Sequence, residues 1–151
     1  MPEALWLNAV KSIYRMDRSV NDPNPASSKD GQIVLYDSAF DDKRNLTQIL
    51  AHELAHEYYR SLDPEEQDDC NAATGWYSVD TTRGPVYLRR KDGFVLEDGK
   101  NNPEEDFSNN IEYFLFESDQ LKLKVPAAFT WIIKKFSKDF SLKKDCSHEL
   151  K

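Results

Sequence analysis

Apolar residues recur at helical spacing along the stretch that ends at Pro64. Leu46, Ile49, Leu50 and Leu54 form one stripe, which predicts an amphipathic helix over about residues 43–61. Asp41 and Asp42 stand where an N-cap and first-turn acids favour its start. Pro64 closes it, because the proline ring and the restriction it places on the preceding residue leave Leu62 or Asp63 as the last helical position. A second helix is predicted from Pro103, with Asn102 as cap, acids in the first turn, and Phe107, Ile111 and Phe114 on one face. A third begins near Pro126 and places Phe129, Ile132, Ile133 and Phe136 together. The basic run from Lys134 to Lys144 reads as its solvated side.

Between these helices the pattern shortens. Gly31 opens an apolar run through Ile33, Leu35 and Tyr36 that Asp37 bounds, the length of a sheet strand. Asn21 to Ser28 reads as a loop, and residues 4–16 fit either a short helix or a strand. After Pro64 a short acidic helix runs to about Ala73, where Thr74-Gly75 stops it. Val86-Tyr87-Leu88 and Phe94-Val95-Leu96 flank Asp92-Gly93 and predict a hairpin, either one wall of a cleft or a surface hairpin that packs Tyr87 and Phe94 on the body. The order of elements predicts a small α+β fold.

Composition narrows the class. A chain of 151 residues with 39% hydrophobic and 31% charged residues suits one globular domain over 1–151, compatible also with a piece of a longer chain. No apolar run is long enough to span a bilayer, and Met1 to Arg15 lacks the pattern of a signal peptide, so a soluble chain is expected. A net charge of −7 argues against nucleic-acid binding, which clustered cations drive. Cys70 and Cys146 form no C-x-x-C pair and are expected as free thiols, with a single disulfide open to them only in an oxidising compartment. Glu65 to Asp69 would raise rather than lower the pKa of Cys70, which argues against a cysteine protease.

The chemistry concentrates in His52-Glu53-Leu54-Ala55-His56, an H-E-x-x-H pattern holding two of the three histidines. Four residues apart on a helix, His52 and His56 share a face and can ligate one zinc ion. Glu53 flanks that face and can take a proton from a water acidified by the ion. A third ligand is required. Tyr59 and Leu62 occupy the positions at which a metzincin carries Gly and His, which excludes that arrangement, and His148 lies in a polar tail and reads as solvated. A carboxylate of the second helix must close the site, and the order of preference is Glu105, Glu112, Glu104. Asn109, one turn after Glu105, can accept the free ring N–H of a ligating histidine, and Glu112 can serve as a second supporting or substrate-binding group. Tyr113, Tyr87, Tyr77 and Arg83 are candidates to stabilise an oxyanion, Tyr113 foremost.

His52-Glu53-x-x-His56 followed by Glu105-Asp106-Phe107-Ser108-Asn109 resembles the gluzincin metallopeptidases, and among them the compact bacterial group with lethal-factor-type catalytic domains, whose second motif is close to E-[DEF]-F-A-E. The resemblance spans about residues 32–115. It departs at Ser108, where the family commonly has Ala, and at Asn109, where it commonly has an acid and where a neutral amide makes a weaker partner for a histidine. The resemblance implies a zincin-like α+β domain with a small sheet, Zn2+ as cofactor, Glu53 as general base and Glu105 as third ligand. It implies a metalloendopeptidase acting on a protein or peptide, with a sheet edge beside the cleft pairing with extended substrate. It is compatible with a bacterial effector or toxin domain, secreted or delivered by a specialised system, and equally with a housekeeping or secreted enzyme or the catalytic piece of a longer chain. The alternative is a catalytically silent zinc-binding regulatory or interaction domain; an intact Glu53 favours turnover.

Overall fold

The computed structural model describes residues 9–17, 24–41, 45–89 and 93–140, with the side chains of 41 and 137–140 excepted. It is a mixed α+β structure. A three-stranded sheet comes first, built from β1 (Ser12–Met16), β2 (Ala26–Lys29) and β3 (Gln32–Tyr36). The order is β1-β3-β2, with β1 parallel and β2 antiparallel to β3. Strand β2 falls inside the predicted loop. The turn signal is Asp30-Gly31: both residues have positive φ, 55° and 82°, and Lys29 pairs with Gln32 across a two-residue connection. Gly31 therefore belongs to the turn and does not open the strand. Central β3, rather than an edge, is the strand the apolar run marked.

A four-residue turn of helix, α1 (Ser38–Asp41), leads to α2 (Leu46–Ser61), the helix that carries the H-E-x-x-H residues. Its start lies later than the predicted residue 43. Asn45, not Asp41 or Asp42, is the N-cap, and Asn45 and Gln48 exchange side-chain-to-backbone bonds in a capping box. Asp41 ends α1, and Asp42 lies outside the described residues. Helix α3 (Pro64–Thr74) is capped by Asp63 and stopped by Gly75 in the left-handed region at φ 91°, as its sequence predicts.

The hairpin differs from its prediction. It pairs β4 (Trp76–Thr81) with β5 (Gly84–Arg89) around Thr82-Arg83, and Phe94 to Leu96 form no strand. Tertiary anchoring decides this, because Trp76 and Arg89, opposite one another at the base of the hairpin, are both tied to the next helix. A 3-10 turn (Glu97–Lys100) precedes that helix, α4 (Pro103–Phe116), which Asn102 caps by accepting from the Glu105 N–H. Helices α5 (Ser118–Lys124) and α6 (Pro126–Phe140) complete the fold.

Two apolar clusters hold these parts. Ile33, Leu35, Ala39, Ile49 and Leu54 join the sheet to one side of α2. Tyr59, Phe107, Ile111, Leu121, Trp131, Ile132 and Phe136 join the other side of α2 to α4, α5 and α6. Of the face predicted for α6, Ile133 is exposed and Trp131 takes the buried place. Among the described residues no helix is long and apolar enough to cross a membrane.

Candidate metal centre

Helices α2 and α4 supply the centre. Ala51 and Ala55 on α2 and Ser108 and Asn109 on α4 are almost wholly buried small residues, so the backbones of the helices can approach closely. His52 and His56 are one turn apart, and their Nε2 atoms lie 3.1 Å from each other. Glu105, on the first turn of α4, places Oε2 3.6 Å from His52 Nε2 and 3.7 Å from His56 Nε2. Three donors on a tetrahedral zinc at about 2.0–2.1 Å stand about 3.3 Å apart, so the two rings and Glu105 fit such an ion after shifts of a few tenths of an ångström. Two imidazoles and one carboxylate are also the donor set a catalytic zinc takes.

The outer nitrogens of both rings face carboxylates as well. His56 Nδ1 is 2.9 Å from Glu104 Oε1, and His52 Nδ1 is 3.2 Å from Glu112 Oε2. The Glu104 contact is a hydrogen bond, the kind of partner that fixes a ring's orientation and leaves Nε2 as the donor a metal could take, whereas Glu112 meets His52 as an ion-pair contact without hydrogen-bond geometry. Glu104 and Glu112, ranked behind Glu105 as ligands, thus stand behind the rings. Asn109 does not take the place read for it: its Nδ2 donates to Asp98 Oδ1 at 2.7 Å, tying the 3-10 turn to α4. Glu112, one turn further on, is the group that reaches the histidine.

Electrostatics follow from this packing. Burial alone would lower the pKa of His52, but its contacts with Glu105 and Glu112 and the nearby charge of Glu53 outweigh it and raise the value to about 9. Glu105 is held below the usual carboxylate range, first by His52. Burial opposes ionisation of Glu104, yet His56 and Arg60 together pull it below that range too. The centre thus gathers Glu53, Glu104, Glu105 and Glu112 around two imidazoles, an arrangement that could hold a cation.

A cleft of about 500 Å³ opens over these residues. One wall is β2, through Ala26, Ser27 and Ser28; the other is the segment with Asp98, Asn101, Asn102, Glu104 and Glu105; His52, Glu53 and His56 form the floor. Glu53 is buried there beside the donors. Among the described residues no tyrosine lines the cleft. Tyr113 lines a separate cavity with Gln48, Phe116 and Lys124, while Tyr77, Tyr87 and Arg83 belong to the hairpin. The hairpin is therefore not a wall of the cleft.

Several residues of this region carry no motif. Arg60, one turn after His56, bonds Ser28, Glu57 and Glu104. Glu57 accepts the Gly31 N–H at 2.7 Å, joining the β2–β3 turn to α2. Asp106, 1% exposed, accepts a hydrogen bond from Trp76 Nε1 at 2.9 Å and forms an ion pair with Arg89 Nη1 at 3.1 Å, which fastens the hairpin to the helix position next to Glu105. The i+4 spacing of Arg60 from His56 is a signal for the first; the partners of Asp106 lie 17 and 30 positions away and leave none. Cys70 is buried, and burial with nearby Asp106 and Asp69 pushes its thiol pKa upward, away from reactivity. Cys146 and His148 lie outside the described residues.

The chain matches no protein-family model, no curated protein and no solved structure to which it was compared.

Proposed function

We propose that this chain is a zinc-dependent peptidase with a zincin-like catalytic fold, in which His52, His56 and Glu105 hold the metal and Glu53 is the general base. The observation that carries the reading is the convergence of both Nε2 atoms and Glu105 Oε2 within 3.7 Å, with Glu104 and Glu112 behind the rings. A zinc ion bound there supplies Lewis acidity, polarising a carbonyl and lowering the pKa of water toward neutrality. Glu104 holds the Nδ1 proton of His56, which keeps that ring's Nε2 free to donate its lone pair, and the Glu112 carboxylate lies 3.2 Å from His52 Nδ1 as its counter-charge. Glu53 projects from the turn between the two histidines into the cleft floor, where its carboxylate takes the proton of the attacking water and hands it to the leaving amine.

A peptide substrate is supported by the cleft wall. Strand β2 is an edge strand, and an edge binds extended chain through backbone hydrogen bonds whatever its side chains. The register pairs Pro25 and Lys29 inward to β3, so the backbone groups of Ala26 and Ser28 face the free edge. The effector or toxin setting stays an expectation of the resemblance alone.

Metal analysis tests the reading. Protein purified without added metal should carry near one zinc per chain, and Glu105→Ala should lose it. Glu53→Gln should keep zinc and fold while slowing peptide hydrolysis by about 10²–10⁴-fold, the range of general-base catalysis. No zinc after reconstitution would sink the proposal.

A further inference from the structure

We infer that the cleft is closed at one end by Arg60 and acts on the N-terminal end of a peptide, removing one or two residues, rather than cutting within a chain. The inference rests on the peptidase reading above. The guanidinium reaches from wall to wall: Nη1 donates to the Ser28 carbonyl of β2 at 2.9 Å, and Nη2 pairs with Glu104 on α4. The Ser28 carbonyl is one of the outward groups that an added strand would use, so pairing along the edge stops there. Glu57 also binds Nη1, and Glu57 in turn holds the Gly31 amide, so the brace is anchored on α2, α4 and the β2–β3 turn together.

Distance sets how much chain fits. Glu104 Oε1 is 2.9 Å from His56 Nδ1 and 2.5 Å from Arg60 Nη2, so the guanidinium lies within about 5.4 Å of the ring. An extended chain advances about 3.3 Å per residue, so at most about two residues fit between the His56 ring and the brace. The lining also includes Asn24, which lies beyond the end of β2 opposite Ser28, and the remainder of the substrate runs that way.

Charge and strand direction select the end. Two carboxylates, Glu57 and Glu104, meet the single guanidinium, and Glu53, Glu105 and Asp98 add further negative charge to the same cleft. Even with the two positive charges of a bound zinc and the one of Arg60 counted, these five carboxylates leave the region negative, so a terminal ammonium is favoured there over a terminal carboxylate. Antiparallel pairing, the more stable mode, directs the N-terminal end of a strand laid on β2 toward Ser28, the closed end.

The test uses the zinc-loaded full chain and a pool of synthetic decapeptides of varied sequence with free N-termini, beside the same pool carrying N-terminal biotin, with products read by mass spectrometry. Cuts confined to the first two peptide bonds of the free pool, and at least tenfold slower loss of the biotinylated pool, are expected. Internal cuts at equal rates in both pools would overturn the inference while leaving the peptidase reading intact. No cut in either pool, matching Glu53→Gln, would overturn both. Arg60→Met, checked for retained zinc, should gain cleavage of the biotinylated pool; continued exclusion of that pool by the zinc-loaded variant would show that Arg60 is not the barrier and overturn the inference.

Discussion

Replacing Arg89 by Met removes the cation from a carboxylate that is almost wholly buried. Asp106 is 1% exposed and the Arg89 side chain 6%, and they meet at 3.1 Å. Arg89 also donates to the Thr74 and Gly93 carbonyls at 3.1 and 2.8 Å, and its guanidinium lies 3.8 Å from the Phe94 ring centre. Breaking a buried pair by removing one partner costs about 3–5 kcal/mol, because the remaining charge is left uncompensated. With a urea slope of about 2 kcal/mol/M, the unfolding midpoint should fall by roughly 2 M. Burial already raises the Asp106 pKa, with Arg89 the chief opposing influence, so the variant raises it further. A carboxyl raised in the folded state contributes stability below its unfolded pKa that is lost as pH rises through the folded one. The deficit of Arg89→Met should therefore be larger at pH 8 than at pH 5. Arg89→Met combined with Asp106→Asn should cost less than the sum of the single changes, by more than about 1 kcal/mol. A loss below about 1 kcal/mol, additive singles, or a deficit independent of pH would refute the reasoning.

The other consequences concern the centre and its frame. Glu112→Ala and Glu104→Ala should each weaken zinc binding by about 10–100-fold, by titration against a chelator, while Glu105→Ala loses more than either. His52, raised to about 9 in the metal-free protein, must lose its proton to ligate, so zinc affinity should rise with pH up to about 9 and a proton should be released on binding. In the metal-free protein the same raised value contributes stability that is complete below pH 6.5 and lost as pH rises through about 9, which thermal melts from pH 6 to 10 would record. Gly31→Ala should destabilise by about 1–2 kcal/mol, since φ is 82° and the added Cβ would sit 3.0 Å from the Ala9 carbonyl oxygen. A midpoint unchanged by that substitution would contradict the strained turn.

The candidate metal-binding face was legible because it is local. His52 and His56 share a helix whose 3.6-residue period sets them side by side, and Pro103, Asn102 and the acids after them mark the start of α4 without reference to anything distant. The α+β character, the helix at 64–74 and its Gly75 stop follow from the same short-range rules. What tertiary structure decided is which groups meet across the chain. Glu112 rather than Asn109 backs His52, because the crossing of α2 and α4, not spacing along α4, determines what faces the ring. Strand β2 exists through its pairing with β3, although Ala26-Ser27-Ser28-Lys29 has little strand propensity of its own. The hairpin turns at Thr82-Arg83 rather than Asp92-Gly93 because Trp76 and Arg89 must both reach Asp106, a buried charge whose partners lie far away in sequence. Periodicity and capping act over one or two turns and are written in consecutive residues; helix crossing, strand partnership and the pairing of buried charge arise only once distant segments are packed together.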